Sequence, residues 1–246
     1  MREVGVRGSA PVTFSQAVGR NLKPSNASKV QRTYHKNYAR HLPPQDERIG
    51  DLGCSEGLFL EYLARRGFRR LVGVDLDGEA LSACRERLLR YTWCEVELVE
   101  GDILTYLKGV DDEWFSCLVL NDVIEHFKRE ELLLLLAETL RVLKDGGTLI
   151  AKTGNMENPF NLGLLFGDFT HELGFTRRSL CQCLVLAGYE RNKIRVEPVV
   201  PAHENAIDLL GEAVRRCGGI ALKVFAGMLR IRIGETRKLI YCVARK

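Results

Sequence analysis

The sequence predicts a doubly wound α/β domain on a seven-stranded, mostly parallel sheet, and three observations predict it. From the Pro43-Pro44 break onward, short apolar runs alternate with amphipathic helical stretches. The runs are four to six residues long and rich in β-branched and aliphatic side chains, as strands buried on both faces are. Four of them in succession end on polar or glycine residues, at the edge where open α/β sheets bind ligands.

In order, 48–52 reads as a strand, 58–66 as a helix, 71–75 as a strand and 79–91 as a helix. Strands follow at 96–100 and 117–121, then a helix at 130–143, a strand at 148–152 and a helix at 177–186. The last two strands, 195–200 and 238–244, lack an ordinary crossover between them, so an antiparallel pair is expected at the sheet edge. Between them 205–231 is a helical insert with Gly218-Gly219 as its joint. Ahead of the sheet, 28–40 reads as a helix carrying Tyr34, His35, Lys36, Tyr38 and Arg40. The 246 residues fit one domain: an N-terminal lid over 1–47, a ligand-binding core over 48–190, and edge strands with their insert over 191–246.

Hydrophobic residues at 46%, charged residues at 28% and only 7 prolines exclude disordered, collagenous and mucin-like classes. No apolar run approaches the ~20 residues of a membrane span. Residues 1–10 carry charge and glycine where a secretory signal is apolar, so the expected location is cytoplasmic. The eight cysteines form no C-x-x-C pair and sit mostly in apolar segments, which predicts buried, reduced thiols. The net charge of +4 divides unevenly: 9 Lys and Arg against 3 Asp and Glu over 1–48, 15 against 24 over 49–190, and 12 against 5 over 191–246. Basic ends of +6 and +7 around an acidic middle of −9 suit an anionic partner, phosphorylated, nucleotide-linked or nucleic acid; dispersed solubilising charge is the alternative.

The first strand runs into Asp51-Leu52-Gly53-Cys54-Ser55-Glu56-Gly57 and directly into a helix, a turn whose small residues admit a ligand to the backbone. The second ends at Gly73-Val74-Asp75, an acid placed to accept from a ribose diol, and the third at Glu100-Gly101-Asp102-Ile103, an acid placed to accept from an adenine amine. The fourth ends at Asn121-Asp122. With these residues the chain resembles the class I S-adenosylmethionine-dependent methyltransferases, over about 49–190. The resemblance implies a Rossmann-like methyltransferase fold, with Asp51, Gly53, Ser55 and Gly57 cradling the methionine part of S-adenosylmethionine. It also implies Asp75 and Leu76 on the ribose and Asp102 and Ile103 on the adenine, with Cys54, Gly101 and Asn121 completing the cofactor set. Ser55 stands where the family usually has glycine.

Methyl transfer from a sulfonium needs alignment and, for a hydroxyl acceptor, a base. After the fourth strand Asn121-Asp122-Val123-Ile124-Glu125-His126-Phe127 lacks the Pro-Pro-aromatic motif of the family's exocyclic-amine DNA enzymes, which disfavours DNA bases. Asp122, Glu125, His126 and the later His171 resemble the divalent-ion set of the small-RNA ribose 2′-O-methyltransferases and ubiquinone-pathway O-methyltransferases, with Asp122 in place of a usual glutamate. Mg²⁺ or another divalent ion is thus one expectation, and His126 and His171 as loop anchor and general base the other. The 155–160 and 167–172 stretches resemble sugar- and polysaccharide-pathway methyltransferases, so a sugar hydroxyl is the first acceptor expected. RNA ribose 2′-O-methylation, a lipophilic phenol, and a non-catalytic cofactor-binding subunit are the alternatives. Asn155, Met156 and Asn158 are expected on the acceptor pocket or in ordinary turn chemistry, and His35 and His41 on the lid or the open surface. Within 205–231, Leu209, Leu210, Val214, Leu222, Phe225, Met228 and Leu229 accompany Arg215, Arg216, Lys223, Arg230 and Arg232. Such a stretch packs its apolar stripe on its own domain, lies on a membrane, or forms a homodimer face.

Overall fold

The computed structural model describes residues 27–203, 206–229 and 234–246, so the expectations for residues 1–26 and for Arg230 and Arg232 lie outside the described residues. A helix α1 (Ala27–Tyr38) leads into β1 (Arg48–Leu52), α2 (Leu58–Arg65), β2 (Arg70–Asp75), α3 (Gly78–Leu88) and β3 (Glu95–Glu100). Then come α4 (Ile103–Lys108), β4 (Phe115–Asn121), α5 (Arg129–Val142), β5 (Leu143–Gly154), the single turn α6 (Leu162–Leu165) and α7 (Arg177–Leu186). The chain closes with β6 (Ile194–Pro198), α8 (Ala206–Met228) and β7 (Leu239–Arg245).

The seven strands lie in the order β3-β2-β1-β4-β5-β7-β6. The first five run parallel, and β7 is antiparallel to both β5 and β6. The expected pair is therefore present, with the reversed strand β7 one place in from the edge and β6 outermost. Alternation along β4 shows why the sheet is covered on both sides: Phe115, Leu118 and Leu120 enter one core cluster, Cys117 and Val119 the other. The first cluster packs α4, α5 and α7, and the second packs α1, α2 and α3, with Tyr38 buried among Phe59, Tyr62 and Tyr241.

Two local outcomes differ from the sequence reading, and the cysteines follow it. The six-residue α4 is too short for periodicity to announce, although Asp102 caps it by accepting from Thr105 N at 2.8 Å. The insert is one unbroken helix, so Gly218-Gly219 is not a joint. All eight cysteines are free, five of them buried and Cys217 exposed. Among the described residues no helix is long and apolar enough to cross a membrane.

Candidate functional site

Strand order reverses between β1 and β4, which leaves a cleft beyond their C-terminal ends. Two buried polar atoms at that cleft have no hydrogen-bond partner: Asp51 Oδ1 on β1 and Asn121 Nδ2 on β4. Burial first, then Cys84 and Asp75, push the Asp51 carboxyl well above the usual range. Asn121 is held by its other end, its Oδ1 accepting from the Tyr38 hydroxyl at 2.9 Å. An orphaned buried polar group costs about 1–3 kcal/mol, and an acceptor and a donor side by side fit a ligand bearing both a donor and an acceptor.

The loop after β1 is shaped for close approach. Gly53 and Gly57 have φ of 81° and 75°, and an added Cβ would stand 2.4 Å from Val123 Cγ2 or 2.3 Å from Cys84 Sγ. Ser55 between them has φ 46°, a left-handed conformation that glycine takes freely and serine only at a cost of about 1 kcal/mol. Its amide donates to Asp75 Oδ2 at 2.7 Å, and Asp77 N donates to Asp75 Oδ1 at 3.0 Å. Asp75 thus pins the loop to the end of β2, and its carboxylate keeps capacity for further donors. Cys54 is buried under the loop, Leu76 is exposed beside the cleft, and a Cβ on Gly101 would meet nothing within 4 Å. The Ile103 side chain belongs to the core at the start of α4, just after Asp102. Tyr38, which sequence reasoning left unassigned, roofs the cleft through its bond to Asn121.

The second half of the site follows β4 and β5. Asp122 also takes a positive φ, 57°, and pairs with Lys152 Nζ at 2.5 Å. Glu125 is buried in the short turn Ile124–His126, and its backbone carbonyl accepts from Glu172 N at 2.8 Å and Leu173 N at 3.0 Å. Those two bonds bring the distant His171 against the turn. Burial first, then Asp122, raise the Glu125 carboxyl to about 7, and its Oε2 has no partner.

Hydrogen-bond chemistry fixes both imidazoles. His171 Nδ1 lies 2.7 Å from the Leu164 carbonyl, which only accepts, so Nδ1 carries the proton and Nε2 the lone pair. Thr170 Oγ1 gives its one proton to Asp168 Oδ1 at 2.6 Å and so accepts from His126 Nδ1 at 2.9 Å, which sets the same tautomer there. The rings are 4.7 Å apart. Burial, and then His171, lower the His126 pKa; Asp168 is held low because its bonds from Thr170 outweigh burial.

Asp122, Glu125 and His171 share the wall of a 240 Å³ cavity with Thr153, Met156, Leu164, Leu165, Leu173, Lys238 and Leu239. A second cavity of 370 Å³ lies under α1, between Tyr34, Tyr38 and Lys152. Of Asn155, Met156 and Asn158, Met156 lines the 240 Å³ cavity. Asn155 and Asn158 do turn chemistry instead: Asn155 Nδ2 donates to the Glu235 and Arg237 carbonyls at 2.8 Å each, and Asn158 Nδ2 to that of Thr236 at 2.8 Å. His35 contacts the Tyr62 hydroxyl at 3.3 Å and His41 accepts from Arg40 at 3.0 Å, both away from the cavity.

The expected divalent-ion set of Asp122, Glu125, His126 and His171 needs correction. Among the described residues no three His, Cys, Asp or Glu side chains stand together as a metal group. Asp122 is committed to Lys152 and Glu125 is a weak anion at a pKa of about 7, so the set offers imidazole nitrogens rather than the carboxylate oxygens that a hard cation takes. These residues do not fit Mg²⁺ or a similar ion.

Comparison with known proteins agrees with this geometry. Residues 50–151 match the family described as a methyltransferase domain. The chain is 29% identical to carboxy-S-adenosyl-L-methionine synthase of Erwinia tasmaniensis, over 58% of this chain and 60% of that protein. It is 26% identical to ribosomal protein L11 methyltransferase of Clostridium botulinum, over 47% of this chain and 33% of the other. It thus spans three-fifths or less of these curated relatives. A solved S-adenosylmethionine-dependent methyltransferase from Archaeoglobus fulgidus shares the fold at TM-score 0.67 and 20% identity, covering 89% of this chain and 94% of that one.

Proposed function

We propose that the chain is a class I S-adenosylmethionine-dependent methyltransferase that methylates a hydroxyl of a small acceptor held in the cavity between Asp122 and His171, a reading supported by the family match over residues 50–151. S-adenosylmethionine, the family's cofactor, supplies an electrophilic methyl group on a sulfonium. Asp51 and Asn121 hold its amino-acid end with the missing acceptor and donor, the 53–57 loop passes close by, Asp75 takes the ribose diol and Asp102 the adenine edge. The Asp51 carboxylate is the natural partner for a buried cation.

His171 carries the chemistry of this reading. It lines the cavity with its Nδ1 proton fixed by Leu164, so Nε2 is the basic atom that removes the acceptor's proton. Glu125, partly protonated near neutral pH, orients the acceptor hydroxyl. The wall shifts the substrate reading from a sugar to a hydroxyl on an apolar skeleton, such as a lipophilic phenol. Met156, Leu164, Leu165, Leu173 and Leu239 offer no partners to a ring of sugar hydroxyls.

The test is turnover of methyl-labelled cofactor with panels of phenols, sugars and oligoribonucleotides. Phenols are expected to react, EDTA to have no effect, and His171→Ala to lower kcat by about 10²–10⁴-fold with cofactor affinity unchanged. Undiminished turnover in His171→Ala would overturn the role of that residue, and tight cofactor binding with no turnover on any panel would assign the chain a non-catalytic role.

A further inference from the structure

Helix α8 sits on the domain with its polar side inward. Glu212 is buried and bonds Arg215 and Arg216 at 3.3 Å each, with Arg237 3.9 Å away. On the same face Asp208 pairs with Lys29 at 2.7 Å, Ala226 is buried, and Gly219 abuts Thr236, whose Oγ1 an added Cβ would approach to 2.4 Å. The opposite arc holds Leu209, Leu210, Val214, Ile220, Val224 and Phe225, each 55–66% exposed. Both described acids of the helix face inward, so the charges beside the apolar arc are Arg215, Arg216 and Lys223. Apart from the helix, Asn158 anchors the loop beside the 240 Å³ cavity to the Thr236 carbonyl, and the Phe160, Phe166 and Phe169 of that loop are 76–103% exposed.

We propose that α8 is an interfacial anchor that lies on an anionic lipid bilayer and brings the acceptor cavity to a substrate dissolved there. The anchoring stands on the helix alone; the substrate half rests on the hydroxyl reading above. An apolar arc flanked by cations is what a bilayer of anionic lipids complements. A second copy docked through the same face would bring the Arg216 and Lys223 cations of both copies to one interface whose apolar arc carries no acid, which opposes pairing.

Flotation of the full chain with vesicles tests this. Vesicles of phosphatidylcholine with one-quarter phosphatidylglycerol are expected to bind it, pure phosphatidylcholine about tenfold less, and high salt to weaken the binding. Leu210→Glu with Val224→Glu is expected to lower binding at least about tenfold, and Arg216→Glu with Lys223→Glu to erase the preference for anionic lipid. Unchanged thermal unfolding and unchanged affinity for S-adenosylhomocysteine show that the variants fold. Absence of vesicle binding, equal binding by the Leu210/Val224 variant, or a dimer that this variant dissociates overturns the proposal. Vesicle binding without turnover of any hydroxyl acceptor would keep the anchor and discard the hydroxyl reading.

Discussion

Leu120 and Leu210 are the same side chain in opposite situations. Leu120, on β4 one residue before the orphaned amide of Asn121, is wholly buried; Leu210, on α8, is 66% exposed. Around Leu120 apolar burial holds the sheet together, while polar atoms at the strand ends stand unpaired for a ligand. Around Leu210 the arrangement is reversed: the pairs of Asp208 with Lys29 and of Glu212 with Arg237 tie the helix to the domain, and its apolar residues are left uncovered among the described residues. Stability and recognition therefore draw on different interactions in the two regions.

The largest expected effect separates them directly. Leu120→Ala costs about 3 kcal/mol in denaturant unfolding, through lost burial and a residual cavity, whereas Leu210→Ala changes stability by less than about 0.5 kcal/mol. A matching loss at Leu210 would mean that the helix is held by its apolar face after all.

Glu125 sharpens the cost of the site itself. Its folded pKa of about 7 lies above the ordinary value of 4.5 for a glutamate, so the folded state binds its proton more tightly. The contribution is fully present below the unfolded pKa and is lost as pH rises through 7, leaving the folded state short by about 2–3 kcal/mol at pH 8. Glu125→Gln removes that dependence: unfolding monitored at pH 8 should show a gain of roughly this size, shrinking toward zero at pH 5. A pH-independent difference would mean that the carboxyl titrates normally.

Ser55 gives the smallest effect. At φ 46°, Ser55→Gly relieves backbone strain while loosening the unfolded chain, so stability should rise by only about 0.5 kcal/mol, and Ser55→Val should lower it. Thermal unfolding of the two variants reads the difference, and a destabilised glycine variant would show that the serine side chain has a bonding role.

The sheet and its ligand-facing strand ends were legible because a strand buried on both faces must be a continuous apolar run, and its polar terminus then stands out. Asp51, Asp75 and Asn121 stand at or near such termini. The orientation of α8 was not legible, since periodicity tells which residues share a face and not which face docks. The small residues Gly219 and Ala226 in line with Glu212 were the available signal. The Asp168-Thr170-His126 chain escaped because its geometry depends on how the 168–173 loop returns to Glu125. The metal expectation failed for a related reason: spacing suggested four ligands, and the ion pair of Asp122 with Lys152 takes one of them away.

The three asparagines after β5 have a dynamic consequence. Asn155 and Asn158 bond the carbonyls of Glu235, Thr236 and Arg237, and Asn161 bonds those of Asn155 and Lys238 at 2.7 Å each. The cavity loop and the run into β7 cannot open separately, since releasing either breaks the same set. Amide protons on both segments should therefore exchange with solvent as one cooperative unit.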